Sequence, residues 1–153
     1  MAGIGYTSKI VLYNQAGTGE IGDTVTFYGT ELSNVRLEWT EAKSISNMGD
    51  KNANRCTAKI YDSDLSKPYM TAEAWQALSD KTTALTFDKQ SFFIITDKSD
   101  IGINNISAPT GAVLDASYAD GLKQYLIDTY GGVFEVNTID HYSLIPHWEI
   151  GGK

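Results

Sequence analysis

Alternation of apolar and polar residues is the strongest signal along this chain. In the segment 34–39, Val35, Leu37 and Trp39 fall on one face and charged side chains fall on the other. Successive side chains of a strand point to opposite sides, so this pattern predicts a half-buried strand. The segment 91–96 is apolar on both faces for four residues, which predicts a strand at the centre of a sheet.

The same reasoning predicts short strands throughout the chain, together with two helices. The predicted strands cover residues 9–13, 23–28, 34–39, 56–61, 84–87, 91–96, 133–139 and 147–150. The helices are predicted at 71–79, where Thr71 caps the first turn, and at 119–130, where Gly131 stops the helix. We therefore expect one mainly β domain over 1–153, a small β-barrel or sandwich with one or two short α-helices.

Two polar segments interrupt the predicted strands. Residues 14–22 hold three glycines, and residues 44–54 are rich in asparagine and other polar residues. Both are predicted as loops, and loops of this length are often functional. Docking onto a neighbouring subunit and a plain spacer role remain open for them. The segment 99–116 has no clear pattern, apart from a turn at 109–111.

The charge balance narrows the possible classes of function. The chain has 12 Lys and Arg residues against 19 Asp and Glu residues, for a formal net charge of −7. An acidic chain is a poor candidate for neutralising nucleic-acid phosphates. The sequence shows neither an apolar run long enough for a transmembrane helix nor the start of a signal peptide, so we expect no membrane association and production in the bacterial cytoplasm.

Cysteine and histidine residues give little support for catalysis. Cys56 is the single cysteine and is expected to be a buried thiol without a neighbouring base. Asp140 and His141 form an adjacent acid and base, with His147 nearby, but neighbours on a strand point to opposite faces. Turn and strand-end polar residues account for them better than a catalytic dyad or a metal pair. We therefore expect a protein that is not an enzyme, with no catalytic residues.

Two further patterns resemble ligand sites only in part. Asp62, Asp64 and Glu73 occupy calcium-loop positions, but Lys67 stands where such a loop needs glycine. The glycines at 17, 19 and 22 lack the Gly-Lys-Ser/Thr ending of a phosphate loop. We accordingly expect no metal, no cofactor and no cofactor-binding residues.

The three tryptophans offer an alternative function. Trp39, Trp75 and Trp148 each lie in an amphipathic segment, which favours core packing for at least two of them. A carbohydrate-binding β module that uses them as a sugar platform is the alternative.

The C-terminal two thirds of the chain carry a resemblance to a known family. Residues 136–140 read VNTID and residues 146–153 read PHWEIGGK. Upstream, residues 67–70 read KPYM and residues 75–81 read WQALSDK, followed at some distance by the strand at 92–95. Over roughly 55–153 the chain resembles a family of Firmicutes phage and prophage proteins, usually called minor capsid or head–tail connector proteins. It departs from that family at 142–145, which read YSLI where the family often has Gly-Ser.

This resemblance implies a structural virion protein of a tailed bacteriophage or prophage at the head–tail interface. The implied subunit forms a homo-oligomeric ring in the neck, in a head-completion role of the stopper type, and tail-terminator or tail-tube roles stay open. Its implied partners are itself and the neighbouring neck, portal-adaptor or tail proteins. Genomic DNA would pass through the channel without specific binding, because like charges repel. Assembly in the bacterial host cytoplasm and location in the virion follow.

Overall fold

The computed structural model describes residues 5–17, 24–41 and 54–153. These residues form seven strands and two α-helices, joined by short 3₁₀ turns. In chain order they are β1 (Ser8–Ala16), β2 (Thr26–Glu41), β3 (Asn54–Tyr61), α1 (Ala72–Gln76), β4 (Phe92–Asp97), β5 (Gly111–Leu114), α2 (Leu122–Thr129), β6 (Val133–Tyr142) and β7 (His147–Gly152). None of these helices has the length and hydrophobicity that a membrane span requires.

Six of the strands close into a barrel. The strand order is β1-β4-β6-β7-β3-β2, and a further pairing between β1 and β2 joins the two ends. Every pairing of these strands is antiparallel, and β5 adds to the outside of β2. The prediction of a small, mainly β barrel with short helices is thus confirmed. Closure gives each of these six strands a partner on both sides, whereas β5 keeps one unpaired edge among the described residues.

Two long strands turn the corners of the barrel. The first half of β2 pairs with β1, and its second half, from Arg36 onward, pairs with β3. The change of partner follows Asn34, whose φ of 56° lies in the left-handed region. Strand β6 changes partner from β4 to β7 in the same way, with an irregular register between Val136 and Thr138. Such local bends let one strand serve two sheets.

The barrel interior forms the main core. Val35, Phe93 and Ile95 are completely buried there and Leu37 nearly so, as the alternation predicts. The other buried members are Ile10, Leu12, Leu32, Cys56, Ala58, Ile60, Leu85, Phe87, Phe134, Val136 and Ile150.

The sequence pattern also predicts core positions for Trp39 and Trp148, as aromatic residues within strands. Both are only partly buried and pack against the main core, so this prediction is wrong.

A second core lies between the barrel and α2. Strand β4 contributes Phe92 and Ile94 to it, so this strand is buried on both faces as predicted. Leu122 and Leu126 of α2 cover that outer face. The helix is shorter than predicted at its start, because Gly121, with a φ of 88°, precedes it in a non-helical conformation. Gly131, with a φ of 72°, follows the end of the helix and stops it, as predicted.

The predicted loop at 14–22 is wrong in its first three residues, which belong to β1. The Asn14 amide is buried and donates from Nδ2 to the Thr86 carbonyl at 2.6 Å and to the Ser91 hydroxyl at 2.9 Å. The Thr86 backbone N–H donates back to Asn14 Oδ1 at 3.3 Å. A polar residue therefore sits inside the strand because its amide satisfies a neighbouring backbone segment. Residues 18–22 of that loop, and 44–53 of the other, lie outside the described residues.

Three further strand predictions need correction. Residues 26–28 and the whole of the segment 34–39 belong to the single strand β2, which runs on through Gly29, while residues 24 and 25 precede the strand and residue 23 lies outside the described part of the chain. A Cβ at that glycine would lie 2.9 Å from both the Pro109 carbonyl oxygen and the Tyr13 ring, so the close approach of the 109–111 turn explains the glycine. The segment 84–87 is buried without being a strand, and its one bridge joins Leu85 to Tyr69.

Candidate functional site

The turn between β6 and β7 presents a group of exposed apolar side chains, which we call the hairpin tip (residues 142–146). Leu144 is 96% exposed and Ile145 is 62% exposed, and Tyr142 beside them is 47% exposed. Adjacent exposed apolar side chains of this size mark surfaces that contact other proteins more often than scattered single ones do. The hairpin tip is therefore the first candidate for an interaction site.

Several contacts hold the hairpin tip in one conformation. His147 Nδ1 lies 2.7 Å from the Ile145 carbonyl oxygen, and its ring stacks on Tyr142 with 4.9 Å between centroids. The Asp62 backbone N–H donates to the Pro146 carbonyl at 3.0 Å, which ties the turn to the end of β3. A tip fixed in this way loses little conformational entropy when it binds.

His147 gives the hairpin tip a dependence on pH. The hydrogen bond to the Ile145 carbonyl and a 2.9 Å contact between Nε2 and Glu149 raise the pKa of His147. Only the doubly protonated ring donates to both partners. A pKa raised by folding means that the stabilisation is complete below the unfolded value, about 6.5, and is lost as pH rises through the folded value.

We therefore expect His147→Gln to destabilise the protein more below about pH 6 than at about pH 8. Denaturation curves at the two pH values measure the difference, and NMR titration of the ring gives the pKa directly. Glu149→Gln should lower the pKa of His147 while leaving the contact to Ile145 in place. A destabilisation by His147→Gln that does not change with pH would show that the ring acts only by stacking.

An aromatic cleft lies at the same end of the barrel. It has a volume of about 520 Å³, and Asp62, Lys67, Tyr69, His141 and Trp148 are among its lining residues. The Trp148 ring centroid lies 4.4 Å from that of Tyr69 and 4.5 Å from that of His141. Burial lowers the pKa of Lys67. The cleft thus combines an aromatic wall with the carboxylate of Asp62 and the amine of Lys67.

The candidate catalytic and metal-binding residues of the sequence are not brought together. His141 Nε2 lies 2.9 Å from Asp62, whereas His147 contacts Glu149. The calcium-loop residues 62–64 form a 3₁₀ turn, and Glu73 lies in the first turn of α1. In the described part of the chain no three His, Cys, Asp or Glu side chains converge as a metal site would require.

An apolar pocket lies at the other end of the barrel. Its volume is about 510 Å³, and its walls are Trp39, Ile101, Ile103, Tyr130, Gly131 and Gly132, with Lys98 and Asp100 beside them. The two charged residues pair with each other at 2.8 Å, so they neutralise one another at the pocket. The indole Nε1 of Trp39 is buried and has no acceptor among the described residues. Because this nitrogen is buried, it does not face the open space of the pocket, and Trp39 contributes other parts of its ring to the wall.

The strand register places the tip and the pocket at opposite ends of one sheet. Tyr142, at the tip, pairs with His147, which pairs in turn with Tyr61. Five residues earlier in β3, Cys56 pairs with both Gly152 and Trp39. The glycines before β6 line the pocket, and the turn after β6 is the tip.

A family model matches residues 6–153, nearly the whole chain. The chain belongs to the DUF6751 family, a family of unknown function. No curated protein and no solved structure matches the chain.

In this DUF6751 chain the three tryptophans do not form one sugar platform. Trp39 lies at the pocket and Trp148 at the aromatic cleft. Trp75 is completely buried and donates from its indole to the Ala84 carbonyl at 3.2 Å. Cys56 is completely buried as predicted, and burial raises the pKa of its thiol to about 12, so the thiolate nucleophile is not formed near neutral pH.

The sequence contains the signal for the hairpin tip, although periodicity does not reveal it. Turns between strands are usually polar, whereas here Leu144 and Ile145 occupy a turn of four residues. The apolar pocket had no such signal, because its walls come from β2, the residues between α2 and β6, and the segment after β4.

Proposed function

We propose that this chain is a structural subunit of a tailed phage or prophage particle, acting in the neck between head and tail. The resemblance over 55–153 supports this role, and the closed barrel fits a subunit that packs beside identical copies. A stopper-type ring is the favoured form, and a tail-terminator or tail-tube subunit is the nearest alternative. The chain would enter the particle during assembly in the host cytoplasm.

The observation that carries the proposal is the hairpin tip. Leu144 and Ile145 are exposed, yet hydrogen bonds and the stacked His147 fix the turn that bears them. Exposure of two aliphatic side chains to water is unfavourable, and another surface that covers them lowers the free energy. A part of a particle that must dock onto neighbouring subunits needs such a contact point.

The charge of the chain supports the passage of DNA without binding. The net charge of −7 repels phosphates, so a ring of these subunits would not retain the genome as it moves through.

The aromatic cleft supports a second candidate function, carbohydrate binding. Trp148 and Tyr69 form an aromatic wall, and the Asp62 carboxylate and the Lys67 ammonium supply groups that bind hydroxyls. This arrangement is suited to one sugar ring stacked on an indole face.

We expect deletion of the gene from its phage or prophage to leave DNA-filled or emptied heads and free tails that do not join. Electron microscopy of induced lysates and counts of infectious particles measure this result. Complementation with the wild-type gene should restore joining, and complementation with the Leu144→Asp, Ile145→Asp double variant should not. Leu114→Asp is the matched control, because Leu114 is 50% exposed on the outer strand β5, away from the tip.

Other outcomes separate the alternatives. Normal infectious particles from the deletion strain would contradict a neck role. Tails of abnormal length would favour the tail-terminator role. Joined particles that fail to adsorb to host cells would favour carbohydrate binding at the aromatic cleft.

A further inference from the structure

We propose that the hairpin tip of one copy inserts into the apolar pocket of the next copy, and that this contact builds the ring. The inference rests on the proposed function and names the partner that the tip contacts first, a second copy of this chain. The partner surface is the pocket formed by Trp39, Ile101, Ile103, Tyr130 and the glycines that precede β6.

The tip and the pocket match in chemistry. The tip offers two aliphatic side chains in sequence, and the pocket offers two isoleucines and the rings of Trp39 and Tyr130, with the Lys98–Asp100 pair beside them. The glycines Gly131 and Gly132 leave part of the pocket wall without side chains, which allows a turn to approach the backbone closely.

The positions of the two surfaces favour a repeating head-to-tail contact. They lie at opposite ends of β6, whose ten residues span about 30 Å at the usual rise of a strand. Two different surfaces that join copy to copy form a heterologous interface, which closes into a ring or continues as a filament. A symmetric dimer through two tips would leave the pocket unfilled.

The tip acts as an anchor within a wider interface. Specific interfaces bury about 800 Å² on each partner, which is more than two side chains provide. Next to the pocket, α2 exposes Ile127 one turn before Tyr130, and these two residues are 40% and 38% exposed. The exposed end of α2 extends the receiving surface beyond the pocket.

The test uses engineered cysteines on full-length protein. One preparation carries Ile145→Cys in the tip, and a second carries Ile101→Cys, at a pocket residue that is 43% exposed. The native Cys56 is buried and does not react. Under mild oxidation we expect the mixed preparations to form a disulfide dimer at least tenfold faster than either preparation alone. A chain with both substitutions should give a covalent ladder that ends at the ring, read by mass spectrometry.

A matched control and three outcomes decide the matter. Leu114→Cys replaces Ile101→Cys in the control mixture, which should cross-link at the background rate. Dimers formed by Ile145→Cys alone would show tip-to-tip contact and overturn the proposal. An Ile101→Cys thiol that resists labelling in the monomer would show that residues 42–53 of the same chain fill the pocket, which also overturns it. Cross-linking at the same background rate in all mixtures, at millimolar protein concentration, would overturn the proposal as well.

Failure of this inference differs from failure of the proposed function. If no tip-to-pocket disulfide forms but the tip variant still blocks head–tail joining, the neck role holds and the tip docks onto a different protein. If the disulfide forms but the deletion strain yields infectious particles, the chain self-assembles outside the neck.

Discussion

Replacement of Trp75 by alanine is expected to lower the free energy of unfolding by about 3–5 kcal/mol. Trp75 is completely buried although its helix α1 has only five residues. Its ring meets Tyr28 edge-on at 5.7 Å, and its indole N–H donates to the Ala84 carbonyl. The side chain therefore fastens α1 and the segment 84–87 to the barrel wall. Denaturation monitored by circular dichroism measures the loss.

Trp39→Ala and Trp148→Ala are the matched controls for this prediction. Both residues are partly buried at the ends of the barrel, so each substitution should destabilise less than Trp75→Ala. Trp75→Phe separates the loss of volume from the loss of the hydrogen bond. It should lower the free energy of unfolding by less than half as much as Trp75→Ala does. Equal destabilisation by all three alanine substitutions would contradict the burial described for the three rings.

The alternating pattern of the sequence was sufficient to predict most strands. Strand β3 was predicted within two residues of its bounds, and the apolar run in β4 correctly indicated burial on both faces. Local chemistry correctly identified one end of each helix, because Thr71 caps α1 by accepting from the Ala74 N–H and Gly131 terminates α2. The other ends were wrong, since α1 stops at Gln76 and not at 79, and α2 begins at Leu122 and not at 119. The correctly predicted features depend on residues close in sequence, which is why they were predictable.

The remaining features depend on residues that are distant in sequence. Asn14 lies in a strand because its amide binds Thr86, 72 residues away, so its polar character wrongly predicted a loop. Leu85 is buried by contact with the barrel without joining a strand ladder, which an apolar pattern cannot distinguish from a strand. The closing pair β1–β2 and the partner changes of β2 and β6 leave no periodic signal.

The candidate sites also depend partly on residues close in sequence and partly on distant ones. The adjacent pair Asp140 and His141 attracted attention in the sequence, whereas the contact of His141 is with Asp62, 79 residues away. The tip was not predicted, although two aliphatic residues in a turn were a sequence signal for it. The pocket required the fold, because only the closed barrel brings Trp39 beside Ile103 and Tyr130.

Phe134→Ala is expected to lower the free energy of unfolding by about 3–5 kcal/mol and also to weaken tip-to-pocket cross-linking. Phe134 is 2% exposed and stacks on Phe93, with 5.7 Å between centroids. It also meets the Trp39 ring edge-on at 5.2 Å, so it supports the pocket wall from inside the barrel. A cavity at this position removes that support and lets the indole shift.

Phe93→Ala is the control that separates the two effects of Phe134→Ala. Phe93 lies in the same aromatic stack and is completely buried, so its loss should destabilise the barrel by a similar amount. The aromatic neighbour of Trp39 is Phe134, so in folded protein the cross-linking rate should fall for Phe134→Ala and stay near wild type for Phe93→Ala. If both variants reduce cross-linking in proportion to their loss of stability, the pocket responds to the stability of the whole barrel, and Phe134 has no separate role in holding Trp39.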